Sequence, residues 1–286
     1  MRSHRFKWLL MGVVFISGQC APSFLARPSQ KRTAPAKVGK AKAREAGEGL
    51  LERAMKGRAR IIDLTQPLSS RTPAYGGEKD LFRYEKLADF DREGYAAGAI
   101  RVPEHFGTHV DAPGHFIKGR ETVDRLDARR LIAPAVVIDV RSKVATDSDY
   151  RLSPSDIQAW ERGGAIPEGS AVLLLTGWDR RYGDPEKYRN ADSNKAMHFP
   201  GFSDAAIGYL LRERKIVALG IDTLSIDYGM SADFSGHRLS HASGLYHIEN
   251  LAHLDELPAR GSVIFVGPLL IQGGSGSPAR VLAVAP

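Results

Sequence analysis

The chain of 286 residues contains one cysteine, Cys20, so it can form no intrachain disulfide and offers no cysteine-rich metal site. A cation in this protein has to be held by His, Asp and Glu. A membrane-spanning run is missing from the N-terminal region as well. The apolar stretch from Trp8 to Ser17 is ten residues long, where about 20 are needed to cross a ~30 Å hydrocarbon layer. Nor does basicity belong to the whole chain. Residues 1–60 carry 14 Lys and Arg against 3 Asp and Glu, and the remainder carries 26 basic and 30 acidic residues. A mildly acidic body excludes a phosphate-tracking surface, and nucleic acid is not an expected partner. What the chain has in quantity is apolar: 43% hydrophobic residues supply a core and exclude disorder throughout.

Arg2, Arg5 and Lys7 followed by the apolar stretch have the form of an export signal peptide over residues 1–26. Small residues at Ser17, Gly18, Ala21 and Ala26 leave the cleavage point open. Lipidation at Cys20 is one alternative, although Gln19 stands where a small residue is usual, and an uncleaved anchor is another. The expected location is periplasmic or secreted. Residues 27–58 are rich in Lys, Arg, Ala, Pro and Gly and read as a basic, solvated linker. A helix within 41–56, with Leu50, Leu51 and Met55 on one side, is the competing reading. No second linker interrupts residues 59–286, which form one domain.

In that domain, Ile61–Thr65, Ala135–Val140, Ala171–Thr176, Val217–Ile221 and Val263–Val266 read as strands, several of them continuous apolar runs of the kind covered on both faces. Ser153–Trp160 and Ser203–Arg214 read as helices, the first opened by an N-cap serine and a proline. Arg280–Val284 reads as a terminal strand. Strands alternating with helices indicate an α/β fold.

Three of the nine histidines fall within eleven residues, in His105-Phe-Gly-Thr-His109-Val-Asp111-Ala-Pro-Gly-His115. The spacings of four, two and four are all even, and in extended chain even spacings share one face. His105, His109 and Asp111 are thereby expected to converge, and the Pro113-Gly114 bend to turn His115 back toward them. Neutral imidazoles with a carboxylate suit a borderline divalent ion such as Zn²⁺, with Mn²⁺ and Fe²⁺ also accepted.

The segment resembles the H-x-G-T-H-x-D-x-P-x-H signature of the cyclase family of metal-dependent hydrolases, which includes bacterial kynurenine formamidases and isatin hydrolases. The resemblance runs from about Ile61 to the C-terminus. It takes in Asp63-Leu64-Thr65, Thr176-Gly177-Trp178, His198-Phe199-Pro200-Gly201, Gly220-Ile221-Asp222-Thr223, Ser225-Ile226-Asp227, Glu249-Asn250-Leu251 and Gly273–Pro278. It implies a swivelling β/β/α single domain and a homo-oligomer. It implies a first metal on His105, His109 and Asp111, and a second on Asp111, His237 and Glu249, both Zn²⁺ or Mn²⁺. His115 becomes the catalytic acid/base. His241 is a rival to His237, eight rather than twelve residues before Glu249, while His247 and His253 are expected to flank a helix around Glu249 as surface or packing residues. Tyr75, Trp178 and His198 occupy motif positions and could line a substrate pocket, or pack in the core. Gly273–Ser277 lacks the ending of a phosphate loop and reads as a turn supporting the site.

A metal held by three protein groups keeps a place for water and lowers its pKa toward about 7. A histidine, titrating near neutrality when unperturbed, can then protonate a poor leaving nitrogen. The expected reaction is hydrolysis of the C–N bond of a small amide, formamide or cyclic imide or lactam. The rival reading is an exported metal-binding or interaction protein on the same scaffold, without turnover.

Overall fold

The structure, a computed structural model, describes residues 48–286. The expected signal peptide and the linker up to residue 47 lie outside the described residues. The end of that linker is not a solvated tether: Leu50–Met55 form helix α1, which buries Ala54 and leaves Leu51 and Met55 exposed. The apolar stripe is therefore shallower than Leu50, Leu51 and Met55 suggest, and the contact is made by the smallest side chain of the turn.

Eight strands form one sheet. They are β1 (Arg60–Asp63), β4 (His109–Asp111), β5 (Ile132–Asp139), β7 (Ala171–Leu175), β9 (Ala218–Ile221), β10 (Tyr246–Glu249), β11 (Ser262–Pro268) and β12 (Gly276–Ala285). Their order is β1-β12-β11-β5-β7-β9-β10-β4, and β4 pairs with β12 as well, which rolls the sheet into a closed, barrel-like form. The ten-residue β12 makes this possible: Gly276–Pro278 pair with β4, while Leu282–Ala285 pair with β1. Two smaller sheets lie outside it, the hairpin β2 (Arg83–Ala88) and β3 (Ala97–Arg101), with α2 (Phe90–Glu93) between them, and the short parallel pair β6 (Arg151–Leu152) and β8 (Gly201–Phe202).

The parallel strands β5, β7 and β9 carry the expected apolar runs because both faces are covered, and β10 pairs in parallel with β9 beside them. Side chains alternate across each strand. Ala135, Val137, Leu173 and Leu175 point into the barrel with Ile248, Ile264 and Val281. Val136, Ile138, Val172, Leu174, Leu219 and Ile221 point outward against Ile157 of α4 (Pro154–Glu161) and Ala206, Ile207 and Leu210 of α6 (Asp204–Glu213). Burying each such side chain is worth about 1.5–3 kcal/mol. Ser153 and Asp156 form a reciprocal cap at the start of α4, and the Ser203 hydroxyl caps α6. The remaining helices, α3 (Arg141–Val144), α5 (Pro185–Arg189) and α7 (Ser235–Ala242), sit at strand ends. Glu249 is on strand β10, not on the helix expected there; Tyr-His-Ile-Glu is too short to show a period, and pairing with β9 and β4 decides its state.

Candidate metal centre

The seam between β4, β10 and β12 gathers the histidines and carboxylates. In β4, His109 and Asp111 share a face, as their even spacing requires. His105 arrives differently. Gly107 adopts φ +65°, in the left-handed region, so the chain between His105 and His109 is turned rather than extended. A side chain at Gly276 of β12 would meet the Val110 carbonyl at 2.4 Å and the His105 ring at 2.5 Å, so only glycine lets this imidazole lie against the strand. Pro113–His115 form a 3₁₀ turn that brings the His115 ring onto His105, with centroids 3.8 Å apart.

Asp111 is the hub. Its Oδ1 lies 2.5 Å from His105 Nδ1 and 3.1 Å from His109 Nε2, and its Oδ2 lies 3.2 Å from His237 Nε2. Glu249 spans the same two imidazoles, with Oε1 3.3 Å from His237 Nε2 and Oε2 3.5 Å from His109 Nε2. His109, Asp111, His237 and Glu249 are all buried. The outer nitrogens fix which way the inner ones point. His109 Nδ1 donates to the Gly107 carbonyl at 2.8 Å, so Nε2 presents its lone pair inward. His237 Nδ1 donates to Asp227 Oδ2 at 2.5 Å, with the same result. Two lone pairs thus face two carboxylates, an arrangement that positive charge must fill.

The spacing fits a cation. Bonds of about 2.0–2.2 Å in a tetrahedral shell put neighbouring donors about 3.3–3.6 Å apart. The 3.3 and 3.5 Å separations from Glu249 to His237 and His109 lie in that span, and the 3.1 and 3.2 Å separations from Asp111 to the same rings fall just short of it. The electrostatics agree. Burial opposes a charged His109, but Asp111 and Glu249 outweigh it and hold its pKa at about 9. Burial is likewise overcome at His237, held well above the ordinary histidine range by Asp111, Asp227 and Glu249. Burial and the Asp111 charge push Glu249 up. The pull these carboxylates exert on protons is the pull a divalent cation meets.

Several residues of the quoted motifs, given no role by the sequence reading, support the centre. Asp227 accepts from the backbone N–H groups of Gly236 and His237 at the start of α7 as well as from the His237 ring. Asn250, at φ +56°, donates to the Gly107 carbonyl that holds His109. Ser275 takes His105 Nε2 at 2.8 Å and donates to Glu104 at 2.6 Å; the turn expected over Gly273–Ser277 ends there, Gly276 and Ser277 already belonging to β12.

The centre opens on a cavity of about 310 Å³ lined by Tyr75, Phe116, Leu224, Phe234, His115 and the ligand-bearing residues. Tyr75 lines the cavity. Trp178 does not: it is buried in a separate apolar cluster, its indole N–H donating to the Tyr188 carbonyl at 2.7 Å. His198 does not reach the cavity either, because its ring is held by Asp149 at 2.7 Å. Phe116 and Phe234 are the aromatics that the sequence reading missed. Of the two histidines expected at the surface or in packing, His253 is exposed and His247 is fully buried, 3.8 Å from Asp111, because its strand pairs directly with β4.

The Cyclase family model matches residues 62–228. An isatin hydrolase of Roseibium aggregatum is 37% identical over 261 residues, spanning 85% of this chain and 98% of that protein. A kynurenine formamidase of Bacillus cytotoxicus is 27% identical over 225 residues, spanning 77% and 95%. Among solved structures, isatin hydrolase A from Ralstonia solanacearum superposes with a TM-score of 0.78 at 35% identity, covering 86% of this chain and 99% of that one. The chain belongs to the cyclase family of metal-dependent hydrolases.

Proposed function

We propose that this protein hydrolyses the C–N bond of a small aromatic amide, formamide or cyclic imide or lactam at a divalent metal centre. The observation that carries the reading is the pair of inward lone pairs, on His109 and His237, facing opposite oxygens of both Asp111 and Glu249 at the floor of an aromatic cavity. His105, His109 and Asp111 would hold one ion, and Asp111, His237 and Glu249 a second, as Zn²⁺ or Mn²⁺. When bound, such a cation supplies Lewis acidity that no side chain here provides.

The chain's own residues do the rest. Tyr75, Phe116 and Phe234 wall the cavity with three rings, Phe234 lying 5.7 Å from Tyr75 and 5.4 Å from Phe116, and exclude water around a flat substrate. Burial, with the Glu249 and Asp227 charges, pushes the Tyr75 hydroxyl up to about 12, so it stays a hydrogen-bond donor. His115 faces the same cavity, and burial pushes its pKa down to about 4 rather than leaving it near neutrality. It is therefore neutral at pH 7, free to take a proton from the attacking water and pass it to the leaving nitrogen. Export from residues 1–26 and assembly into a homo-oligomer belong to the same reading. Exposed Tyr84, Leu87, Phe90, Tyr95 and Ile100 on and beside the β2–β3 hairpin support the second.

The test is hydrolysis of isatin, N-formylkynurenine and simple cyclic imides by metal-loaded protein, with and without chelator. His115→Ala should keep the metal and lose about 10²–10⁴-fold in turnover. Near-full activity in that variant removes His115 from its role, and full metal occupancy without hydrolysis across the panel favours the non-catalytic reading.

A further inference from the structure

Behind the centre, away from the cavity, lie two imidazoles that the catalytic assignment does not use. His241 follows His237 by one turn of α7, and His247 sits opposite Asp111 in the β10–β4 pairing. Both are completely buried. Their tautomers follow from their neighbours. His241 Nδ1 lies 2.9 Å from the Leu245 carbonyl, which can only accept, so the ring proton is on Nδ1 and Nε2 is bare. His247 Nε2 lies 2.7 Å from Ser240 Oγ, whose own proton goes to the Gly236 carbonyl at 2.7 Å. Ser240 therefore accepts from His247 Nε2–H, and His247 Nδ1 is bare.

Neither bare nitrogen has a hydrogen-bond partner among the described residues. An unmet buried acceptor costs about 1–3 kcal/mol, and two apolar side chains would fill this space without that cost. The donors converge, however. His241, His247, His237 and Asp111 each offer a ligand atom within 4.8 Å of the others. His247 Nδ1 is 3.8 Å from Asp111 Oδ2, within the span of two bonds of about 2.0–2.2 Å to one ion. Its ring stands at 84° to that of His237, so the two approach from different directions. The His241 and His247 rings are stacked, 3.9 Å apart at 17°, so no single ion lies in the plane of both.

We propose that His247 is a further metal ligand, through Nδ1, on the buried side of the ion held by Asp111 and His237. His241 supports it by stacking, and Ser240 holds its tautomer. The inference rests on the reading that Asp111 and His237 bind a cation. An added imidazole makes that shell nitrogen-rich, which favours Zn²⁺ or Co²⁺ over Mn²⁺.

Metal-stripped protein titrated with Zn²⁺ and Co²⁺ tests this, read by calorimetric stoichiometry, the visible Co²⁺ spectrum and an X-ray absorption count of imidazole ligands. Wild type should bind two equivalents. His247→Leu and His247→Gln should each weaken one equivalent by tenfold or more and lower the imidazole count, while the other equivalent, unchanged, reports an intact fold. His241→Phe keeps the stack without the lone pair and should bind both within threefold of wild type. Wild-type titration by both His247 variants, with hydrolysis intact, overturns the inference and leaves the proposed function standing. Loss of an equivalent in His241→Phe overturns the division between the two rings. A wild type that binds no divalent ion overturns the functional reading itself.

Discussion

Asp227→Asn replaces one oxygen by an amide and leaves the side chain its size. In the wild type, Oδ2 takes the His237 Nδ1 proton at 2.5 Å, while Oδ1 accepts from Gly236 N–H at 2.8 Å. Asparagine keeps an oxygen for the helix start only by turning its NH₂ toward His237, where donor meets donor. The imidazole must then carry its proton on Nε2, aimed at Asp111 and Glu249 instead of a lone pair. The alternative rotamer restores the ring contact but sets NH₂ against the N–H of Gly236. Either way one buried donor goes unmet, at about 1–3 kcal/mol. Loss of such an orienting partner costs about 10–100-fold in metal affinity. The affinity for divalent metal, measured by chelator competition, should fall by that factor, with activity recovered in excess metal. Wild-type affinity in Asp227→Asn would refute the argument that this carboxylate sets the His237 tautomer.

Gly276→Ala should displace His105 and the Val110 carbonyl, costing about 1–3 kcal/mol in urea unfolding together with metal affinity. Trp178→Phe should lower stability by about 1–2 kcal/mol through its lost bond to Tyr188, with KM unchanged; a raised KM would return Trp178 to the pocket. Burial opposes the Asp156 charge, but Lys143, Tyr150 and Ser153 hold its pKa at about 2. That contribution is present above the ordinary carboxylate range near 4 and is lost as pH falls through about 2. Asp156→Asn should therefore flatten the loss of stability between pH 4 and 2, as followed by acid unfolding.

Much of this was legible because local chemistry and tertiary environment agree. The apolar runs at Val136–Ile138 and Val172–Leu174 can only be covered strands, and Ser153 and Ser203 announce the helices that cover them. The even spacing of His109 and Asp111 holds because β4 is extended there; it fails at His105, where the glycine turn at 107 does the converging instead. The β2–β3 hairpin was invisible because it exposes most of both faces and so shows no alternation. Ser275 acts on His105 and Glu104 across some 170 residues, so no window of sequence contains both partners, and Asp227 meets His237 ten residues on only because the loop before α7 folds back. His198 and Trp178 show the converse: a motif residue can support the scaffold while a neighbour in space, Phe234, faces the ligand.

The strand pairing has one more consequence. Asp111 is opposite His247 on one side and Gly276 on the other, so the hub carboxylate sits on the last stave that closes the barrel. Metal affinity then depends on a strand that binds no metal: without β12 beside it, Asp111 loses one of the two neighbours that fix its place. The tail from Gly276 to Ala285 supplies none of the proposed donors, yet trimming it should release the ions as completely as removing the histidines.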